Sequence, residues 1–174
     1  FREIRTRLLA LGGSTNFVTM VAPISHRSGG SFVARNLATA FAFDEAKTAL
    51  LIDCDVRHAA QHTALGVEKI LYHTGIPRLR LIPAGRQREM SAEYFSSFRM
   101  RAVLDSLRSR YADRYLFLDS PAVKGSPDAR ILADLADFIV LVVGYGRDTP
   151  GAVNKALANF DPNKIAGVVF NQVP

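Results

Sequence analysis

The chain is short of several things that would each point to a function. It has one cysteine, Cys54, and no tryptophan among 174 residues. A single thiol closes no internal disulfide, so nothing calls for an oxidising compartment, and the cytoplasm is the expected location. No apolar run approaches the roughly 18 to 20 residues that cross a bilayer, and no basic, apolar, small-residue leader opens the chain. "FIVLVVGYG" is one of the longest such runs, and a soluble chain is expected. His26, His58, His62 and His73 have no metal-ligand spacing, and no nucleophile elbow surrounds Ser25 beside His26. This argues against histidine-centred hydrolysis. Internal repeats and low-complexity segments are also lacking.

What is present suits a buried core. With 48% hydrophobic residues, the length predicts one domain covering 1–174. The net charge of +6 and the pI near 9.8 would suit an acidic partner. The arginines are spread along the chain, however, which reads as a solvated surface, and no nucleic-acid partner is expected.

Six apolar runs of strand length recur: "FVTMVAP", "TALLIDCD", "LRLIPAG", "YLFLDSP", "DFIVLVVGYG" and "IAGVVFNQV". Continuous hydrophobicity without polar alternation is what a strand covered on both faces requires. Between them, Met100, Val103, Leu104, Leu107 and Tyr111 fall at helical spacing, with Arg101, Arg108 and Arg110 off that stripe. "DTPGAVNKALANF" begins another helix, with Thr149 as N-cap and Pro150 at its first position. The expected fold is α/β, a three-layer doubly wound and mainly parallel sheet. From Gln61 to Pro77 no clear strand is visible, which suggests a shortened loop or missing residues. Tyr94, Tyr111, Tyr115 and Tyr145 lie among apolar neighbours and are expected in the core.

The first strand runs into "ISHRSGGSFVARNLATAFA", a loop followed by a helix. Phosphates bind at such a junction, because a helix N-terminus offers unpaired amides and roughly half a unit of positive charge. Gly29 and Gly30 allow close backbone approach, and the Ser31 hydroxyl stands where a P-loop places its magnesium ligand. The pattern G-x-x-x-x-G-K-[ST] is broken twice: Ile24 holds the first glycine position and Gly30 the lysine position. The lysine normally reaches the β- and γ-phosphates, so its loss falls hardest on phosphoryl transfer.

Two strand ends support the position. "LLIDCD" ends with Asp53 and Asp55 one residue apart, on the same face, with Cys54 directed to the other face and into the core. "LFLDSPA" places Asp119 at the end of another strand. Carboxylates at C-terminal strand edges beside a phosphate loop hold hydrated Mg²⁺ and orient the attacking group.

The series "GGSFVARNLA", "LLIDCDVR", "LRLIPAG", "YLFLDSPA", "DARILADLADFIVLVV" and "GVVFNQV" resembles the cytoplasmic P-loop domain of the bacterial tyrosine autokinases of capsule and exopolysaccharide biosynthesis. More broadly it is similar to the MinD and ParA ATPases. The likeness is strongest from Leu79 to Val143, where it is most similar to the kinase branch of exosortase-type exopolysaccharide loci.

The resemblance implies a P-loop NTPase-like fold with a degenerate phosphate-loop pattern. It assigns nucleotide contacts to Ser28, Gly29, Gly30, Ser31, Phe32 and Asn171, the last at the position that reads adenine. Magnesium falls to Ser31, Asp53 and Asp119, and catalysis, where retained, to Asp53 and Asp55. The family's D-x-D-x-R continues to Arg57 and its D-x-P to Pro121. Mg²⁺ with ATP or ADP is the implied cofactor set, with Arg27 and Arg35 as candidate substitutes for the lost charge. Residues 1–11 resemble the family's assembly helix, with Arg2 and Arg5 in its arginine positions, so the chain is expected to begin inside a longer protein.

The family carries a tyrosine-rich tail beyond the point where this sequence stops at "NQVP", and a tail that was cut off, one that is disordered and none at all stay open. The implied partners are the cytoplasmic part of a polysaccharide co-polymerase membrane protein, at the inner face of the membrane, and further copies of the chain. The first reading is a kinase-like regulator of exopolysaccharide polymerisation and export with weak or absent nucleotide turnover. An active ATP-dependent tyrosine autokinase is the second, and a ParA/MinD-like positioning ATPase the third.

Overall fold

The computed structural model describes residues 1–55, 71–84, 95–96 and 98–174. Arg57, His58, His62, Tyr94 and most of the stretch from Gln61 to Pro77 lie outside the described residues.

Seven strands form one sheet: β1 (Val18–Pro23), β2 (Thr48–Asp53), β3 (Tyr72–His73), β4 (Leu79–Ile82), β5 (Arg114–Asp119), β6 (Phe138–Gly144) and β7 (Ile165–Asn171). Their order across the sheet is β3-β4-β2-β5-β1-β6-β7, and every pairing is parallel except β3 with β4. The six strands visible in the apolar runs are all present. β3 is a correction to the expectation of no strand between Gln61 and Pro77. Its two residues are exposed, so no apolar run could mark it, and it is held by antiparallel pairing with β4.

The continuous apolar runs are explained by cover on both faces, as all six residues of β1 are buried. Strand alternation then divides the core in two. Leu50, Ile52, Leu116 and Leu118 point to α3 (Phe98–Ser109), α4 (Asp128–Leu135) and α5 (Pro150–Leu157), joining Leu104, Leu107, Leu132 and Ala156. Ala49, Leu51, Tyr115 and Phe117 point the other way, toward α1 (Arg2–Gly12) and α2 (Gly30–Ala42), and join Leu8, Val33, Leu37 and Phe41. Helices on both faces of a parallel sheet make the three-layer α/β architecture.

α2 has no side-chain cap, yet it buries eight residues, including Val33, Leu37 and Phe41. Each large apolar side chain buried is worth about 1.5–3 kcal/mol and a cap only about 1, so packing holds this helix in place. α5 follows the expected signals: Thr149 accepts a hydrogen bond from the Ala152 amide at 3.3 Å, and Pro150 opens the helix.

Two expectations are corrected. Only Tyr115 of the described candidate core tyrosines is buried, whereas Tyr111 and Tyr145 are about half exposed. Tyr111 lies past the end of α3, where the helical stripe no longer applies, and stacks on the Arg114 guanidinium instead. Arg108 is not simply solvated off the stripe. It donates to Asn16 Oδ1 at 3.2 Å and Asn16 O at 2.8 Å, and pairs with Asp137 at 3.1 Å, tying α3 to the N-terminal edge of the sheet.

The parallel order brings the C-terminal ends of β1, β2 and β5 side by side. Val21 and Asp53 both register against Asp119. This edge, below the N-terminus of α2, is where an open α/β sheet forms its crevice.

Candidate functional site

The loop from β1 to α2 ends at Gly29, which takes φ +87° as the residue before the helix. A side chain there would be strained by the backbone, and its Cβ would meet Asn171 Nδ2 at 1.9 Å, so only glycine fits. Gly30 opens α2 and is buried against Pro23.

The loop is clamped by side chains from distant sequence. Its carbonyls at His26, Arg27 and Ser28 accept from Arg147 Nη1 at 3.3 Å, Gln172 Nε2 at 3.0 Å and Asn171 Nδ2 at 3.0 Å. Ser25 Oγ donates to Asp148 Oδ1, while Asp148 Oδ2 accepts from Ser28 Oγ at 2.9 Å and the Gly144 amide at 2.7 Å. Burial alone would raise the Asp148 carboxyl, but the hydrogen bonds from Ser25, Gly144 and Ser28 and the charge of Arg147 outweigh it and lower the pKa. Asp148 thus holds the loop as a carboxylate. Sequence reasoning missed it because its partners lie more than a hundred residues earlier.

The carboxylates sit opposite the loop. Asp53 and Asp119 end neighbouring strands in register and share the α2 face, two residues on from Leu51 and Phe117. The Asp55 amide donates to Asp53 Oδ1 at 3.0 Å, turning the chain just past the end of β2. Cys54 points away and is buried among the other core's residues, as the strand alternation requires. Burial pushes the Asp119 carboxyl up to about 7; Asp53 and Asp55 add to this, while a hydrogen bond with Ser31 and the Arg35 charge oppose it. Asp53 is raised too, mainly by burial and further by Asp55, with Arg35 again opposing.

The loop and Asp55 border an open cleft of about 290 Å³, lined by His26, Arg27, Gly29, Ser31 and Arg35 among others, whereas Asp53 and Asp119 are not among its lining residues. Of the residues expected at the site, Gly29, Gly30, Ser31, Phe32, Arg27, Arg35 and Asp55 line this cleft. Ser28 faces inward to Asp148, and the Asn171 amide is engaged by the loop. Phe32 is half exposed with its ring edge-on to Phe1. On α1, Arg2 is exposed, whereas Arg5 turns inward and donates to Ala40 O at 2.9 Å.

No group of three or more His, Cys, Asp or Glu side chains among the described residues is arranged to hold a metal by itself. The donor set fits Mg²⁺ nonetheless. That ion takes one or two protein oxygens and completes its shell with phosphates and water. Ser31, hydrogen-bonded with the Asp119 carboxyl beside Asp53, offers such a pair of donors.

A parallel sheet with helices on both faces, a glycine-rich loop opening a helix, and aspartates at adjacent strand ends define the class: a P-loop NTPase-like α/β domain. No protein-family model matches the chain. Its homologues are bacterial tyrosine kinases, and its structural neighbours are kinase domains and the MinD and ParA P-loop ATPases.

The tyrosine-protein kinase Wzc of Salmonella typhimurium is 29% identical over 191 aligned positions, covering 99% of this chain and 26% of that protein. The tyrosine-protein kinase CpsD of Streptococcus agalactiae is 26% identical and covers 99% of this chain and 82% of that one. Among solved structures, the VpsO kinase domain has a TM-score of 0.86 at 25% identity, covering 99% of this chain and 93% of that one. The MinD cell division protein of Aquifex aeolicus, at 19% identity and a TM-score of 0.66 over 91% of this chain and 70% of that one, shares the fold. The chain spans about a quarter of the length of Wzc and of the EpsB kinase of Ralstonia solanacearum.

Proposed function

We propose that the chain is a tyrosine-kinase-like P-loop domain that regulates capsule or exopolysaccharide polymerisation and export, with nucleotide turnover weak or absent. The relative named as a succinoglycan biosynthesis transport protein in Rhizobium meliloti, 31% identical over 93% of this chain and 23% of that protein, supports the process. One observation carries the loss of turnover. Where the P-loop has lysine this chain has Gly30, and a Cβ there would lie 2.6 Å from the Pro23 ring. Pro23, the last residue of β1, occupies the space that a side chain at position 30 would need.

Phosphoryl transfer depends on positioned charge, and losing one such group costs about 10² to 10³ in rate. The backbone cradle, Ser31 and the aspartates would still bind phosphate oxygens and Mg²⁺. A polysaccharide co-polymerase at the inner membrane face is the proposed partner, with Arg2 contributing to assembly among copies. No helix among the described residues is long and apolar enough to cross a membrane.

A second reading, an active autokinase, is favoured by Arg35. It projects from the first turns of α2, lines the cleft, and acts electrostatically on both Asp53 and Asp119. The test is ATP hydrolysis and tyrosine autophosphorylation by the protein. Turnover that is abolished by Asp53→Asn and by Arg35→Ala would sink the regulatory reading and establish the second. Magnesium-dependent ADP binding in calorimetry without turnover supports the first.

A further inference from the structure

A second cavity, of about 610 Å³, opens between the segment from the β5–α4 loop into α4 and the length of α5. Its size lies within the roughly 300–1,000 Å³ typical of small-molecule sites. Its floor is apolar, with Ile24, Val123 and Ala156, and its rim carries Lys124, Arg130 and Lys155. Among the described residues no carboxylate lines it.

The rim is partly preorganised. Asn159 donates to the Lys155 carbonyl at 2.7 Å and accepts from Arg130 Nη2, which sets the guanidinium over the opening. Neither lysine ammonium has an ion-pair or hydrogen-bond partner among the described residues. Three cations around an apolar floor match a compact dianion with an apolar body. An arginine fork accommodates tetrahedral oxyanions, and lysines add point charge.

We propose that this cavity is a binding site for a phosphate monoester whose organic part is small and apolar. It is distinct from the glycine-rich loop, yet the two share a wall. The Val123 amide donates to Pro23 O at 2.9 Å and the Lys124 amide to Ile24 O at 3.0 Å. Pro23 and Ala122 face the phosphate-loop cleft, while Ile24 and Val123 face this one. The proposal does not depend on whether the loop binds nucleotide.

The experiment is an NMR titration of the protein with 1-naphthyl phosphate, with inorganic phosphate and 1-naphthol as controls. Saturable shifts at the Gly125, Gly151 and Ala152 amides are expected, with each control binding at least about tenfold more weakly. The Lys124→Ala/Lys155→Ala variant, altered only at exposed side chains, should weaken binding about tenfold. Its folding is checked by an unchanged thermal transition, and raised salt should weaken binding by the parent protein independently of any variant. Shifts confined to Gly29–Ser31, binding of naphthol equal to that of the ester, or no dependence on salt and on the two lysines would overturn it.

Discussion

At the residue scale, Gly29 and Gly30 are required for different reasons. Gly29 needs its positive φ and has an amide nitrogen of Asn171 in the space of a Cβ. Gly29→Ala is expected to destabilise the fold by about 1–3 kcal/mol and displace Asn171 from Ser28 O. Urea unfolding measures the first effect, and the Asn171 side-chain amide resonance the second. Gly30 has an ordinary helical backbone, and its constraint is the Pro23 ring. Introducing a lysine alone should therefore fail: Gly30→Lys is expected to cost about 1–3 kcal/mol by overpacking. Pro23→Gly in the same chain should relieve the clash, giving a favourable coupling energy in a double-mutant cycle of urea midpoints. Additive effects would show that Pro23 is not what excludes a side chain.

At the scale of elements, the loop is held by the turn after β6 and the end of β7 in addition to the Ser25–Ser28 contacts within it. Asp148→Ala removes the acceptor for Ser25, Ser28 and the Gly144 amide, and leaves Ser28, which has no exposed surface, without that partner. A loss of about 1–3 kcal/mol is expected in urea unfolding. Because the folded pKa of Asp148 is lowered, its contribution is present above the unfolded carboxylate pKa and is lost as pH falls through the folded value.

Asp119 has the opposite sign. Its folded pKa is raised from 3.8 to about 7, so folding takes up a proton between those values. Its contribution is fully present below 3.8 and is lost as pH rises through about 7. Asp119→Asn should flatten that decline and, without divalent cations, stabilise the protein at pH about 8 by on the order of 2 kcal/mol. Urea midpoints at acidic and alkaline pH test this, and an unchanged slope would mean that Asp119 is not the group responsible.

Across the whole molecule, the two edges of the sheet carry separate duties. The C-terminal edge holds the loop and aspartates, while at the N-terminal edge Asp137 accepts from the Val18 amide at 2.8 Å and pairs with Arg108. Both side chains of that pair are more than one-third exposed, so screening reduces its value, and Asp137→Ala should cost about 1 kcal/mol, mostly through the Val18 amide. Because the sheet core separates the two edges, Mg-ADP affinity in calorimetry should stay the same. A change in affinity would show that the edges are coupled through the sheet.

The six long strands, the parallel sheet, the Thr149–Pro150 helix start and the burial of Cys54 in the core were legible in the sequence. Each depends on local periodicity: apolar runs need cover on both faces, and alternate residues share a face. β3 was not legible, because two exposed residues carry no hydrophobic signal and their pairing comes from β4. The same holds for the exposure of Tyr111 and Tyr145 and for the inward turn of Arg5. "GGS" at a junction of strand and helix was readable from spacing alone. Only the tertiary structure decided that Pro23 fills the space beside Gly30, that Asp148 and the end of β7 hold the loop, and that Asp119 is raised by burial beside Asp53. Close approach and desolvation arise between segments far apart in the chain, and no local pattern records them.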